Sequence, residues 1–237
     1  MTTMKRLLVL MKRLWALPAI LLLSGCNITI LNPKSTTGEE QAFLIRLSLM
    51  IMSVVIVTVF ILLIRFVYKY RKSNLSESYV PKDVLGNKKL ETTWTLIPVM
   101  LLAVLAVPTI AITYYQSPVS DSAAKKEGVH VEVVGEQFQW TFIHENEKEE
   151  KDELVIPEGE PVIFHLYSKD VIHSFWIPEL SGKVDVMPHE ELIYEVEDPE
   201  IGSYDGKCAE YCGIQHANMR FDVEVVSKED YKKYLDE

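Results

Sequence analysis

The stretch Lys207-Cys208-Ala209-Glu210-Tyr211-Cys212-Gly213-Ile214-Gln215-His216-Ala217-Asn218-Met219 brings two thiols, an imidazole and a thioether within 12 residues. Thiolate and thioether are soft donors that select copper, and imidazole suits the same ion. Upstream, Val171-Ile172-His173-Ser174-Phe175-Trp176 offers a further imidazole, His173, from a neighbouring strand. Magnesium and calcium sites, built from oxygen alone, do not look like this. Two cysteines can each bridge two metal ions, so that each copper takes two thiolates, one histidine and one weak axial ligand. Met219 can supply one axial ligand and a backbone carbonyl near Glu210 the other. No position is then left for substrate, unlike a catalytic metal site. Such a set fits electron transfer rather than bond-making. A Cys208–Cys212 disulfide would leave the spacing of His216 and Met219 unexplained, and a mononuclear copper would need only one cysteine. His130, His144, His165 and His189 lack soft neighbours and read as surface or strand residues.

The sequence around this stretch reads as β. His130-Val131-Glu132-Val133 alternates, and residues 162–166, 192–196 and 221–226 are further short apolar-rich runs. Turn signals such as Pro157-Glu158-Gly159 and residues 178–182 separate them. Strands at spacings near ten residues predict a sandwich or barrel. The charged run 145–153 reads as a solvated hairpin. From Val129 onward no helical period is visible.

The first half is different. Residues 47–64 and 94–115 are runs of 18 and 22 residues without a charge, each long enough to cross a hydrocarbon core of about 30 Å as a helix. Pro98 and Pro108 are tolerated in a spanning helix, and Trp94, Tyr114 and Tyr115 sit where aromatic belts form. Between the runs, Arg65, Lys69, Arg71, Lys72, Lys82, Lys88 and Lys89 oppose Glu77, Asp83 and Glu91. This positive excess predicts a cytoplasmic loop, with both flanking segments outside.

Residues 1–25 read as a signal peptide: Lys5, Arg6, Lys12 and Arg13, then an apolar run, then small residues. Leu23-Ser24-Gly25-Cys26 is similar to a bacterial lipobox, which would make Cys26 a lipid anchor. The expected divisions are therefore 1–25, a two-helix segment 26–117, and an exported β domain 118–237.

Charge follows the same division. Up to Ser117 the chain carries 13 Lys+Arg and 5 Asp+Glu; beyond it, 11 and 29, a net −18. That acidity argues against nucleic acid, whose phosphates want a basic surface, and favours a basic partner.

The motif C-x-E-x-C-x3-H-x2-M with an upstream His resembles the binuclear CuA signature of subunit II of the haem-copper cytochrome c oxidases. Glu91-Thr92-Thr93-Trp94-Thr95-Leu96-Ile97-Pro98 is similar to that family's second-helix start, and the likeness extends through residues 168–178 and 215–221. The resemblance implies a two-helix transmembrane hairpin followed by a cupredoxin-like β-barrel, in a bacterial cell membrane. It implies CuA ligands His173, Cys208, Glu210 through its carbonyl, Cys212, His216 and Met219. It further implies a magnesium shared with subunit I through the Glu210 side chain, and Glu91 at the mouth of a proton-uptake channel. Haem would reside only in subunit I, and cytochrome c would be the donor to a proton-translocating oxidoreductase.

The family usually has a tryptophan as the first aromatic after Gly-x-Gln, where electrons arrive. Gly135-Glu136-Gln137-Phe138-Gln139-Trp140 has Phe138 there, leaving Phe138 and Trp140 both open for the role. Three rival functions remain. A quinol oxidase subunit II would lack the copper ligands. A thioredoxin-like thiol or copper-delivery protein would alternate strands and helices. A structural lipoprotein would give no reason for the spaced donors.

Overall fold

The computed structural model describes residues 28–71, 78–80, 83, 85–117 and 127–236. The signal peptide, Cys26, Lys72, Glu77 and Lys82 lie outside the described residues.

Two long helices come first, α1 (Thr36–Lys69) and α2 (Lys88–Tyr115). At 1.5 Å per residue they are about 51 and 42 Å long, more than a hydrocarbon core requires. Along α1 only Thr37, Gly38 and Ala42 are buried, and along α2 nothing is. The apolar side chains of both helices, Phe60, Ile64 and Val107 among them, therefore point away from this chain's own protein. Lipid or another subunit must cover them. Asn87 caps α2 by accepting the N–H groups of Lys89 and Leu90 at 3.0 and 3.2 Å. Glu91 reaches back to accept the Asn87 N–H at 3.2 Å, a reciprocal cap of the kind that satisfies orphan donors.

Ten strands follow: β1 (Val129–Glu136), β2 (Gln139–His144), β3 (Glu149–Lys151), β4 (Glu153–Pro157), β5 (Val162–Ser168), β6 (His173–Trp176), β7 (Val184–Val186), β8 (Leu192–Val196), β9 (Gly202–Cys208) and β10 (Arg220–Val226). They form two five-stranded sheets, β3-β2-β1-β5-β8 and β4-β10-β9-β6-β7. The β1–β5 and β10–β4 pairs are parallel and the others antiparallel. Alternation sends Val131, Val133, Phe164 and Leu166 of one sheet against Phe175, Phe221, Val223 and Val225 of the other. Phe175 and Phe221 stack at 5.2 Å between ring centres, and Trp140 meets both edge-on. Each such buried ring contributes about 1.5–3 kcal/mol by leaving water. The charged run expected as a hairpin is one: β2 pairs antiparallel with β3.

One expectation needs correcting. A helical period reappears at the end of the chain, in α3 (Lys228–Asp236). Ser227 accepts the Asp230 N–H at 3.1 Å and caps it. Tyr231 buries against His144, with its hydroxyl 3.0 Å from Nδ1. Nine residues are too few for periodicity to stand out among so many charges.

The hairpin is tied to the β domain at one end. The Ser35 hydroxyl accepts the Gly38 N–H at 2.8 Å, capping α1, and donates to the Leu180 carbonyl. The Lys34 and Thr36 N–H groups reach the carbonyls of Glu179 and Glu197 at 2.7 and 3.0 Å. From the end of α2, the Tyr115 hydroxyl lies 2.9 Å from Glu197 Oε1. The facing helix ends at Lys69 and Lys88 are thus at the opposite end of the hairpin from the β domain, so a membrane around the helices separates the two.

Candidate metal centre

Cys208 is the last residue of β9, His173 the first of β6, and the two strands pair with Phe175 opposite Cys208. The chain then leaves β9 through a loop, returns through a single 3-10 turn (His216–Asn218), and enters β10 directly after Met219. The Cys208 N–H donates to the Met219 carbonyl at 2.9 Å, closing this loop at its base. A strand end, a strand start and a closed loop therefore converge at one tip of the sandwich.

The side chains converge too. Cys208 Sγ lies 3.8 Å from Cys212 Sγ, 3.8 Å from His173 Nδ1 and 3.2 Å from the Glu210 carbonyl oxygen. Cys212 Sγ lies 3.6 Å from His216 Nδ1 and 3.7 Å from Met219 Sδ. His173 is fully buried, Met219 1%, Cys212 4% and Cys208 5% exposed, so no cleft is left for a substrate. His216 is half-buried at the rim beside Tyr211. All six residues expected as ligands are brought together. Both cysteines are free, and their separation is well beyond the roughly 2.05 Å of a disulfide bond.

The spacings fit metal ligation. Two thiolates at about 2.3 Å from one tetrahedral ion stand about 3.8 Å apart, and a thiolate and an imidazole about 3.5 Å apart. The donors are soft sulfur and imidazole, the set that suits copper. Ligation needs thiolates. Burial pushes the Cys208 thiol up, but hydrogen bonds from His173 and the Glu210 backbone outweigh it, bringing the group to about 6. Burial and the neighbouring Cys208 charge push Cys212 up to about 12. The pair thus holds a single negative charge easily and the second only against a cation.

Two supporting residues are not apparent from the sequence. Asp170 Oδ1 accepts from His173 Nε2 at 2.8 Å, which fixes the imidazole with Nδ1 facing the sulfur of Cys208. Gln137 donates its backbone N–H to Asp170 at 2.8 Å and its side-chain amide to the Cys212 carbonyl at 2.5 Å. The β1–β2 turn is thereby bound to the ligand loop. Two glycines permit this closeness. A Cβ on Gly135 would sit 3.1 Å from the His173 ring; one on Gly213, whose φ is +134°, would sit 3.1 Å from Phe138.

The aromatic candidates separate. Phe138 is partly buried and packs on Gly213, beside the ligand loop. Trp140 is wholly buried, its ring 5.9 Å from that of His173. The Glu210 carboxylate is partly exposed, with an oxygen 3.9 Å from Lys183 Nζ. Glu91 lies in the first turn of α2, remote from all of these.

Comparisons with known proteins agree with this architecture. The family described as cytochrome c oxidase subunit II, transmembrane domain, matches residues 25–112, and its periplasmic domain matches residues 139–226. Cytochrome c oxidase subunit 2 of Alkalihalophilus pseudofirmus is 38% identical over 222 residues, covering 91% of this chain and 65% of the relative's own length. Quinol oxidase subunit 2 of Bacillus cereus is 33% identical over 237 residues, covering 96% of this chain and 81% of the relative. The crystal structure of the periplasmic domain of cytochrome oxidase subunit II from Bradyrhizobium japonicum aligns with a TM-score of 0.45 and 22% identity, over 47% of this chain and 94% of that one. With two apolar helices, a two-sheet β domain and matches along both, the chain belongs to the cytochrome c oxidase subunit II family.

Proposed function

We propose that this chain is the electron-accepting subunit of a respiratory cytochrome c oxidase, taking electrons from cytochrome c and passing them toward the haem groups of subunit I, where O2 is reduced to water with proton translocation. The observation that carries this reading is the 3.8 Å approach of two free thiols, each with an imidazole at 3.6–3.8 Å. His173, Cys208, the Glu210 carbonyl, Cys212, His216 and Met219 would hold a binuclear copper centre. Copper held there supplies a one-electron relay that needs no bond to substrate.

The chain's own residues do the rest. Asp170 holds the His173 ring, and Gln137 holds the ligand loop, so little reorganisation accompanies a change of charge. The buried walls exclude water. Of Phe138 and Trp140, Phe138 is the one that a docked protein could reach. The net −18 beyond Ser117 would draw a basic cytochrome toward this face.

Further assignments belong to the same reading. The Glu210 side chain would share a magnesium with subunit I, and Glu91 would sit at the mouth of a proton-uptake channel. Cys26 would carry a lipid after removal of residues 1–25. The boundaries would fall at 26–117 for the membrane segment and 118–237 for the exported domain.

The test is copper loading of the purified chain. Two coppers sharing one unpaired electron are expected, and Cys208→Ser or Cys212→Ser should each remove that signal. One copper per chain with a simple tetragonal spectrum would overturn the binuclear assignment. A copper-free quinol oxidase subunit is the second reading, favoured by relatives such as that of Bacillus cereus. Failure to bind copper, together with turnover on quinol, would establish it instead.

A further inference from the structure

We propose that His130 and His165, on the outer face of the first sheet, form a site for a borderline divalent transition ion, distinct from the cysteine cluster. The two residues stand on the central parallel strands β1 and β5, and His130 Nδ1 lies 3.0 Å from His165 Nε2. On its far side, His165 Nδ1 lies 2.6 Å from Glu191 Oε1. A carboxylate only accepts, so the His165 proton is on Nδ1 and the lone pair of Nε2 faces His130. Metal-ligating histidines are usually held this way by a carboxylate or carbonyl, because the second contact fixes both the tautomer and the ring.

In the metal-free chain His130 Nδ1 donates to that lone pair. When its proton moves to the other ring nitrogen, both imidazoles present lone pairs to the gap between them with no net change in protonation, and rotation of the two rings turns both toward one ion beside that gap. Two nitrogens 3.0 Å apart, each about 2.05 Å from an ion, subtend about 94° there. That is the right-angle disposition of copper(II) or nickel(II) with nitrogen and oxygen ligands.

The surroundings supply oxygen and charge. Glu132 is opposite His165 in the ladder and lines the same groove, adding negative charge beside the histidine pair. Glu145 and Glu147 line it too, and no lysine or arginine does. The groove is open enough for water to complete the coordination shell. Sulfur is absent, so the site differs in kind from the cysteine cluster and would not hold copper(I).

The proposal stands apart from the copper reading, and its test is arranged accordingly. The untagged full-length chain in detergent, carrying Cys208→Ser and Cys212→Ser, is titrated with nickel(II) by calorimetry, with metal counted by elemental analysis. One nickel per chain is expected. His130→Ala and His165→Ala should each abolish it, and Glu191→Gln should weaken it by roughly 10–100-fold. Thermal melts matching the parent show that the variants fold. Absence of nickel from the parent, or nickel binding indifferent to both histidine changes, overturns the site.

Discussion

Asp170 accepts hydrogen bonds at 2.8 Å from two segments at once, the His173 ring on Oδ1 and the Gln137 backbone on Oδ2. Burial pushes this carboxyl up, but the Gln137 N–H and the His173 ring outweigh it and hold the group below the usual range. The carboxylate therefore stays charged beside the imidazole proposed as a metal ligand. It joins the strand that begins with His173 to the turn that carries Phe138.

Asp170→Asn keeps the size of the side chain and removes its charge. The ring of His173 would lose its fixed orientation and some basicity at Nδ1. Copper affinity should fall roughly 10–100-fold, read by competition with a chelator. The midpoint potential of the loaded chain should shift as well, which a loss of packing alone would not produce. Unchanged affinity and potential would mean that the ligand loop orients His173 without help.

Phe138 and Trp140 predict different failures. Phe138→Ala should slow electron transfer from reduced cytochrome c while leaving copper content and melting temperature close to the parent. Trp140 is fully buried among Phe142, Phe175 and Phe221, so Trp140→Ala should cost about 3–5 kcal/mol of stability. Stopped-flow oxidation of the cytochrome distinguishes them. Normal transfer in Phe138→Ala would remove that residue from the path.

The convergence of the soft donors and the two long apolar helices were legible in the sequence for physical reasons. Soft donors are rare and their spacing is local, and an uncharged run of 22 residues has few soluble uses. The sheet order was not legible, because the β1–β5, β4–β10 and β6–β9 pairs join strands far apart along the chain. Asp170 and Gln137 were hidden for a related reason. An aspartate three residues before a histidine is commonplace, and only the closeness of β1 to β6 gives this one its role. The docking of Ser35 on Leu180 joins a side chain to a backbone carbonyl 145 residues away, which no periodicity encodes.

That docking gives a third prediction. Ser35→Ala removes both the cap of α1 and the bond to Leu180, so the junction should loosen by about 0.5–2 kcal/mol. Hydrogen exchange at the Gly38 and Thr36 amides should quicken, while exchange within β5 and β10 stays unchanged. Exchange accelerated throughout the β domain would mean that the helix end supports the sandwich as a whole.

His144 gives a pH dependence outside the metal centre. Its ring is buried between β2 and α3, with Tyr231 and Tyr234 against it and Nε2 without a partner among the described residues. Burial, with the nearby Lys148 charge acting in the same direction, lowers its basicity to about 4. The folded chain thus prefers the neutral ring, whereas an unfolded histidine titrates near 6.5. Between those two values the unfolded state binds more protons, so the stabilisation is complete above about 6.5 and lost as pH falls toward 4. The full shift corresponds to at most about 3 kcal/mol. Release of α3 should therefore begin near pH 6, seen as quickened exchange at the Tyr231 amide. In His144→Gln, which can still accept the Tyr231 hydroxyl, that step should vanish between pH 6.5 and 5, leaving only the carboxylate titration below it. A step that persists unchanged in the variant would assign the pH response to the acidic residues of the β2–β3 turn.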